Sequence, residues 1–314
     1  MPVKKILIDN KSLVALLLLM AAVSLYSPSF LSVDNLLNIL RQTSINAIIA
    51  LGITYVILTA GIDLSVGSVL ALCGAVCASL LAADTPLVLA LLVTLSVGGL
   101  LGAANGVVIS LFGVQPFIAT LVGMTMLRGV TLVFTDGRPV STGDFEVAEA
   151  FYQMGGGYFV GIPIPILLAA GVFLIGWLIL NRTAFGRYVY AIGGNEQVTR
   201  IAGINVRRVK IIVYALSGVM AALAGMILTA RLESAQPTAG LGYELDAIAA
   251  VVLGGTSLMG GRGTLIGTLI GALIIGVLNN ALNLMDVSSY YQQIAKGAVI
   301  LLAVVVDSRV KSKA

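Results

Sequence analysis

The sequence predicts an all-α polytopic membrane protein of about ten transmembrane helices, and three observations carry that expectation. Hydrophobic residues make up 59% of the 314 residues and charged residues 10%, with a mean hydropathy of +1.05, far beyond what a soluble core needs. Apolar runs of roughly 17–25 residues follow one another from position 12 to 306, each long enough to cross a bilayer. The basic residues between them fall almost entirely on alternate connections.

The runs lie near 12–30, 36–60, 64–83, 86–111, 116–135, 162–181, 209–230, 245–259, 264–284 and 290–306. Lipid offers the backbone no hydrogen-bond partner, so each must be a helix or part of a closed barrel. Stretches such as 13–22 and 87–97 are apolar all round and lack the alternation of a barrel strand, so helices are expected. The first run follows Lys4 and Lys5, as a signal peptide would. It has no small-x-small cleavage pattern and nine further runs follow, so it is read as an uncleaved first helix. The third carries Cys73 and Cys77 one turn apart, a spacing that suits small packing residues and is not the CxxC of a redox or metal site. Gly98, Gly102 and Gly106 in the fourth, and Gly263, Gly267 and Gly271 at the ninth, repeat every four residues, which lets helices pack closely. The remaining runs rest on length and apolarity, and the whole chain, 1–314, reads as one membrane domain.

Ten crossings place both termini on one side. With the N-terminus inside, the inner segments hold Lys4, Lys5, Lys11, Arg182, Arg187, Arg200, Arg207, Arg208, Lys210, Arg262, Arg309, Lys311 and Lys313. The outer segments hold Arg138 and Arg231 but ten acidic residues, among them Asp136, Asp144, Glu146 and Glu149 in a large outer loop at about 136–160. Both termini are therefore expected in the cytoplasm. The net charge of +4 is an orientation signal, and nucleic acid is not an expected partner.

The chain has no histidine, which removes histidine proton relays and the common histidine metal sites. No Gly-Lys pair occurs, so the phosphate-cradling loop GxxxxGK[ST] is missing. Arg41, Asp63, Arg128 and Lys296 are the charges within or near spans, and most fall near expected helix ends, where snorkelling accounts for them. No cofactor is expected, and energy for transport should come from a partner that binds ATP. An ion-coupled secondary carrier using Asp63 or Lys296 is the alternative; an intramembrane enzyme lacks histidine or a paired-aspartate motif.

The largest inner segment, 182–210, contains the pattern of a two-turn helix. Asn195 can cap its start, Glu196 suits the positive end, Arg200 the last turn, and Gly203 can end it, just after Ala202, in the left-handed conformation. So short a helix needs something to pack on. Val198, Ile201 and Ala202 could rest on the membrane interface or on a soluble ATPase, and sequence alone leaves the two even.

The stretches TAGIDL at 59–64 and TAGLGYEL at 238–245 echo each other at equivalent hairpins of the first and last five spans, which would relate the halves as an inverted 5+5 repeat. The stretch 61–68, GIDLSVGS, with Asp63 and Ser65, reads either as a broken helix beside a pathway or as a tight turn. Polar residues at helix positions include Asn46, Thr54, Asn105, Gln115, Thr120, Asn279, Asn280 and Asn283. They suit a neutral polyol, or bond helix to helix. Asp63, Ser65, Asn105, Asn279 and Asn280 are taken as candidates for the translocation pathway.

The stretches ILTAGIDLSVGS (57–68), FIATLVGMTMLRG (117–129), GGNEQVTRIAGINVRRVK (193–210), SAQPTAGLGYELDAIAAVVLGGTS (234–257) and 260–280 resemble those of permease subunits of bacterial ABC sugar importers, over about 35–307. GIDLSVGS together with GGTSxxGGxG marks the sugar branch; the related branched-chain amino-acid permeases share the plan without that pairing. The resemblance implies a homodimer in the inner membrane, a cytoplasmic ATP-binding subunit, a periplasmic sugar-binding protein, and a monosaccharide cargo, D-ribose first. It also implies that 195–203 is the coupling helix, with Glu196 and Gly203 at its characteristic positions; Gln197 and Val198 stand where the family often has alanines.

Overall fold

In a computed structural model describing residues 11–311, α1 (Lys11–Tyr26) leads through a short 3-10 turn into α2 (Val33–Leu58), α3 (Val66–Ala82), α4 (Leu87–Leu111) and α5 (Pro116–Thr135). Outer-loop helix α6 (Glu146–Gly156) precedes α7 (Ile164–Arg182), the short α8 (Ala184–Gly194) and α9 (Glu196–Ile201), and the long α10 (Val206–Leu232). The chain closes with α11 (Tyr243–Leu253), α12 (Leu265–Leu284) and α13 (Ser289–Lys311). Lys4, Lys5 and Lys313, which contribute to the expected inner-side bias, lie outside the described residues.

Each of the ten stretches expected to cross contains one helix, but six of these helices are long and apolar enough to do so unaided: α2, α4, α5, α7, α10 and α12. The expected span at 245–259 is cut short. Helix α11 stops at Leu253, and an irregular loop with Gly255, Gly260 and Gly261 at positive φ follows. The expected span at 64–83 begins as a helix at Val66, and Gly263 precedes α12 instead of lying on it.

Caps fix several boundaries. Ser32 Oγ accepts from the Asn35 amide, Asn205 Oδ1 from that of Arg208, and Thr264 Oγ1 from that of Gly267, each serving an amide with no partner inside its helix. Helix α10 stands at the centre, packed on α4, α2, α3 and α6, and α12 packs on α11, α2 and α1. Nearly every residue from 43 to 58 of α2 is buried, as is one broad side of α10. By contrast α4, α5 and α7 turn large apolar side chains outward, including Leu100, Val133 and Leu174. Such a surface is stable against lipid, not water.

The glycine ladder of α4 sets its contact with α10. A Cβ on Gly98, Gly102 or Gly106 would run into the backbone of α10 at Gly218, Tyr214 and Ile211. Gly267 and Gly271 of α12 meet the carbonyls of Gly254 and Ala250 in the same way. Both ladders work within the chain.

Two helices start in the interior. Along α10, Ser217 meets Asp63, the Gly225 backbone meets Leu70, and Thr229 meets Gly74. Asp63 therefore sits about 17 Å along α10, near the middle of its length, and 59–65 climbs there from the end of α2 without helical structure. The turn at 236–242 descends to meet it: the Gly240 carbonyl lies where a Gly67 side chain would be. The first turns of α3 and α11 thus lie side by side inside the protein.

Candidate functional site

The segment 182–210 is built on an anchored pair of short helices. Thr183 caps α8, whose Gly193 has no room for a side chain between the Leu58 carbonyl and the Gly261 amide. The Gly261 amide donates to Leu58 O (3.0 Å), and Tyr190 Oη donates to Gly263 O (2.8 Å). Asn195 Oδ1 accepts from the Val198 amide (3.0 Å) to start α9, and Ala202 caps its end. Gly203, at φ +84°, turns the chain toward Asn205, a conformation that L side chains avoid. Glu196 takes 2.9 Å from Arg200 Nη2 and 2.6 Å from Lys210 Nζ, so it clips α9 to α10. Partial burial pushes its carboxyl up, but the bonds and charges of Lys210 and Arg200 outweigh that and hold it below the usual range. Val198 and Ile201 stand 59% and 87% exposed on the same helix. They are an apolar pair offered to solvent on a clipped, capped helix.

Asp63, Ser65 and Asn105 form one buried cluster. Asp63, 1% exposed, accepts from the Ser65 amide (3.0 Å), Ser65 Oγ (2.6 Å) and Ser217 Oγ (2.8 Å). Asn105 Nδ2 donates to Ser65 Oγ (2.9 Å), while Tyr214 Oη donates to Ile62 O (3.1 Å). These bonds satisfy the polar backbone where α2 gives way to α3, and join α4 and α10 to the break. Nearby, Arg128 Nη1 donates to the carbonyls of Pro237 (2.7 Å) and Ala239 (2.9 Å), holding the descending turn where the sequence suggested only snorkelling.

Asn279 and Asn280 point different ways. Asn280 exchanges two bonds with Asn35 (2.8 and 3.1 Å), which ties α12 to α2. Asn279 lines a cavity of about 340 Å³ between α2, α10, α11, α12 and α13. Thr43, Asn46 and Asn283 line it too, with Arg231 on α10 and Asp246 on α11. Among the residues around it, Thr43 Oγ1, Asn46 Oδ1 and Asn279 Oδ1 are buried and have no partner among the described residues.

Sequence reading singled out Asn46, Asn279, Asn283 and Lys296 but not Gln42, Thr43, Arg231, Asp246 or Gln292. The usable signal was spacing. Gln42 and Asn46, Asn279 and Asn283, and Gln292 and Lys296 are three i,i+4 pairs, each putting two polar side chains on one helix face.

A helical protein with several membrane-length spans, a short clipped helix at one end of its core and a cavity lined by polar residues has the architecture of a membrane transport subunit. Residues 35–304 match the family described as branched-chain amino acid transport system / permease component, and the chain belongs to that family. It is 59% identical to the ribose import permease protein of Haemophilus influenzae over 98% of this chain and 96% of that protein. The Escherichia coli K12 protein of the same name is 58% identical over 96% and 94%, and that of Bacillus subtilis 55% identical over 94% and 91%. No solved structure matches the chain.

Proposed function

We propose that this chain is the membrane-spanning permease subunit of an ATP-driven ABC importer for D-ribose in the bacterial inner membrane. It works as a homodimer that forms the translocation path, fed by a periplasmic sugar-binding protein and driven by a cytoplasmic ATP-binding subunit. The observation that carries the reading is 55–59% identity to ribose import permeases along nearly the whole chain. That level favours the sugar over the amino acid in the family's description, as does the pairing of GIDLSVGS with GGTSLMGGRG. The identity also displaces the alternative of an ion-driven carrier, and Lys296 is already paired with Asp246 at 3.0 Å.

The chain crosses ten times in this reading, with both termini cytoplasmic and the 182–210 segment facing the ATPase. Its halves are related as an inverted 5+5 repeat. The parallel between α2, 59–65 and α3 on one side and α10, 233–242 and α11 on the other supports that relation, since each is a full helix, a returning irregular segment and a helix that starts inside. Movement of α9 under the ATPase passes through the Gly193–Leu58 contact to the foot of α2, and through the Glu196–Lys210 clip to α10. Those two helices flank the break at Asp63, where backbone without helical bonds can hinge. Asp63, Ser65 and Asn105 position that hinge, Asn280 fixes α12 against α2, and Asn279 faces the passage.

The test is reconstitution with the ATPase and binding protein. Glu196→Ala and Gly203→Val should each lower ribose-stimulated ATP hydrolysis and uptake about 5-fold or more, with the complex still assembled. Normal coupled uptake by both variants would refute the coupling assignment.

A further inference from the structure

We infer that the cleft between the α4–α5 connection and the start of α10 holds the phosphate of an anionic phospholipid from the inner leaflet, beside the clip that secures α9. This rests on the orientation proposed above, with 182–210 cytoplasmic, and adds a lipid site that the permease reading does not contain. The close approach of Gly106 to Ile211 brings the end of α4 against the first turns of α10. The cleft there has a volume of about 270 Å³. Sites for whole small molecules run from about 300 to 1,000 Å³, so this one suits a headgroup whose chains lie elsewhere.

The charges of the cleft call for an anion. Arg200, Arg207 and Lys210 line it against a single carboxylate, Glu196. Glu196 takes one bond from Arg200 Nη2 and one from Lys210 Nζ. A guanidinium carries five N–H donors and an ammonium three, so both keep donors for a second anion. Arg207 has no ion-pair partner among the described residues. Arg207, Arg208 and Lys210 also stand at the start of α10, whose first turn holds no acidic residue. The positive end of a helix disfavours cations there. Charge sorting across a membrane asks only for basic residues on this side, and Arg182 meets that demand at the favourable end of α7. An anion in the cleft offsets the cost at α10.

The rim makes that anion a lipid. The connection 112–115 joins two membrane-length helices at this end of the core. Phe112 on it is 75% exposed, and Leu111 and Phe117 are exposed on either side. Large apolar side chains where two spans end belong at the boundary of headgroups and acyl chains. A lipid with its phosphate in the cleft lays its chains against them, whereas a free anion gains nothing from them. A neutral sugar would leave the cations without a counter-charge.

The experiment titrates phosphatidylglycerol into the detergent-solubilised complex with its ATPase and counts retained lipid by native mass spectrometry. The unaltered complex should retain phosphatidylglycerol in preference to phosphatidylcholine. Arg207→Gln should raise the half-retention concentration about fivefold, the worth of one basic residue at an anionic surface, and Arg207→Glu should raise it further. Arg207 is exposed, so neither change threatens folding. Arg187→Gln, on exposed α8 surface outside the cleft, should shift it less than about twofold. Excess inorganic phosphate should leave the lipid in place. Unchanged retention in Arg207→Glu, an equal loss in Arg187→Gln, or phosphatidylcholine retained as well as phosphatidylglycerol would each overturn the site. Displacement by phosphate would overturn it too, by making the cleft one for a free anion. Ribose uptake by the same complex in proteoliposomes reads the permease assignment separately. Uptake without lipid retention sinks the lipid site alone, and retention without uptake sinks the ribose reading alone.

Discussion

Asp63 is held by hydroxyl and amide donors and by no cation within ion-pairing distance among the described residues. Removing it leaves the Ser65 and Ser217 hydroxyls buried without their acceptor. Asp63→Ala should therefore destabilise the detergent-solubilised protein by about 1–3 kcal/mol, and Asp63→Asn by less, since one amide oxygen remains; thermal unfolding checks both. Glu196 gives the pH prediction. Its folded carboxyl is held low, so the clip's stabilisation is present above the unfolded value and lost only as pH falls through the lowered folded one. The ratio of ribose-stimulated to basal ATP hydrolysis should thus stay flat between about pH 6 and 8; a step in that interval that Glu196→Gln abolishes would contradict it. Sequence showed that both carboxylates were unusual, through position and neighbours. It could not show that Ser217, 154 residues beyond Asp63, supplies the third donor.

At the scale of the element, the ladder on α4 can be tested directly. Gly102→Leu would drive a side chain into the α10 backbone at Tyr214, in a contact between two rigid helices. A loss of about 3 kcal/mol or more is expected, at or above the usual range for overpacking, seen as a lower melting temperature and poor recovery from the membrane. Gly171→Leu, with open space around that glycine, should leave the melting temperature nearly unchanged. The long helices and the six-residue α9 were legible because length, apolarity and capping are local properties. The end of α11 was not: 254–263, GGTSLMGGRG, follows directly on an apolar helix, and hydropathy does not distinguish a helical backbone from one broken by glycines.

At the scale of the molecule, the proposed reading makes this chain the passage and leaves the driving force to a partner. Purified alone into vesicles, it should accumulate no ribose against a gradient, with or without an imposed proton gradient; uptake by the lone protein would refute the division of labour. Class was readable from composition and from the length of the apolar runs. The cavity was not, because its walls come from residues 42–46, 228–246 and 272–296. Each polar pair shows its own helix face, but nothing in a single chain tells which faces meet.

The buried carboxylate tied to Ser217 also bears on how the protein is made. During synthesis α2 and α3 leave the ribosome long before α10 exists, so the early half enters lipid with a polar knot only partly tied. A chain stopped after α7 should be cleared by membrane proteases, and supplying the missing half as a separate polypeptide should rescue it. Biogenesis of this protein is then a matter of waiting, with the first half kept open until the second arrives.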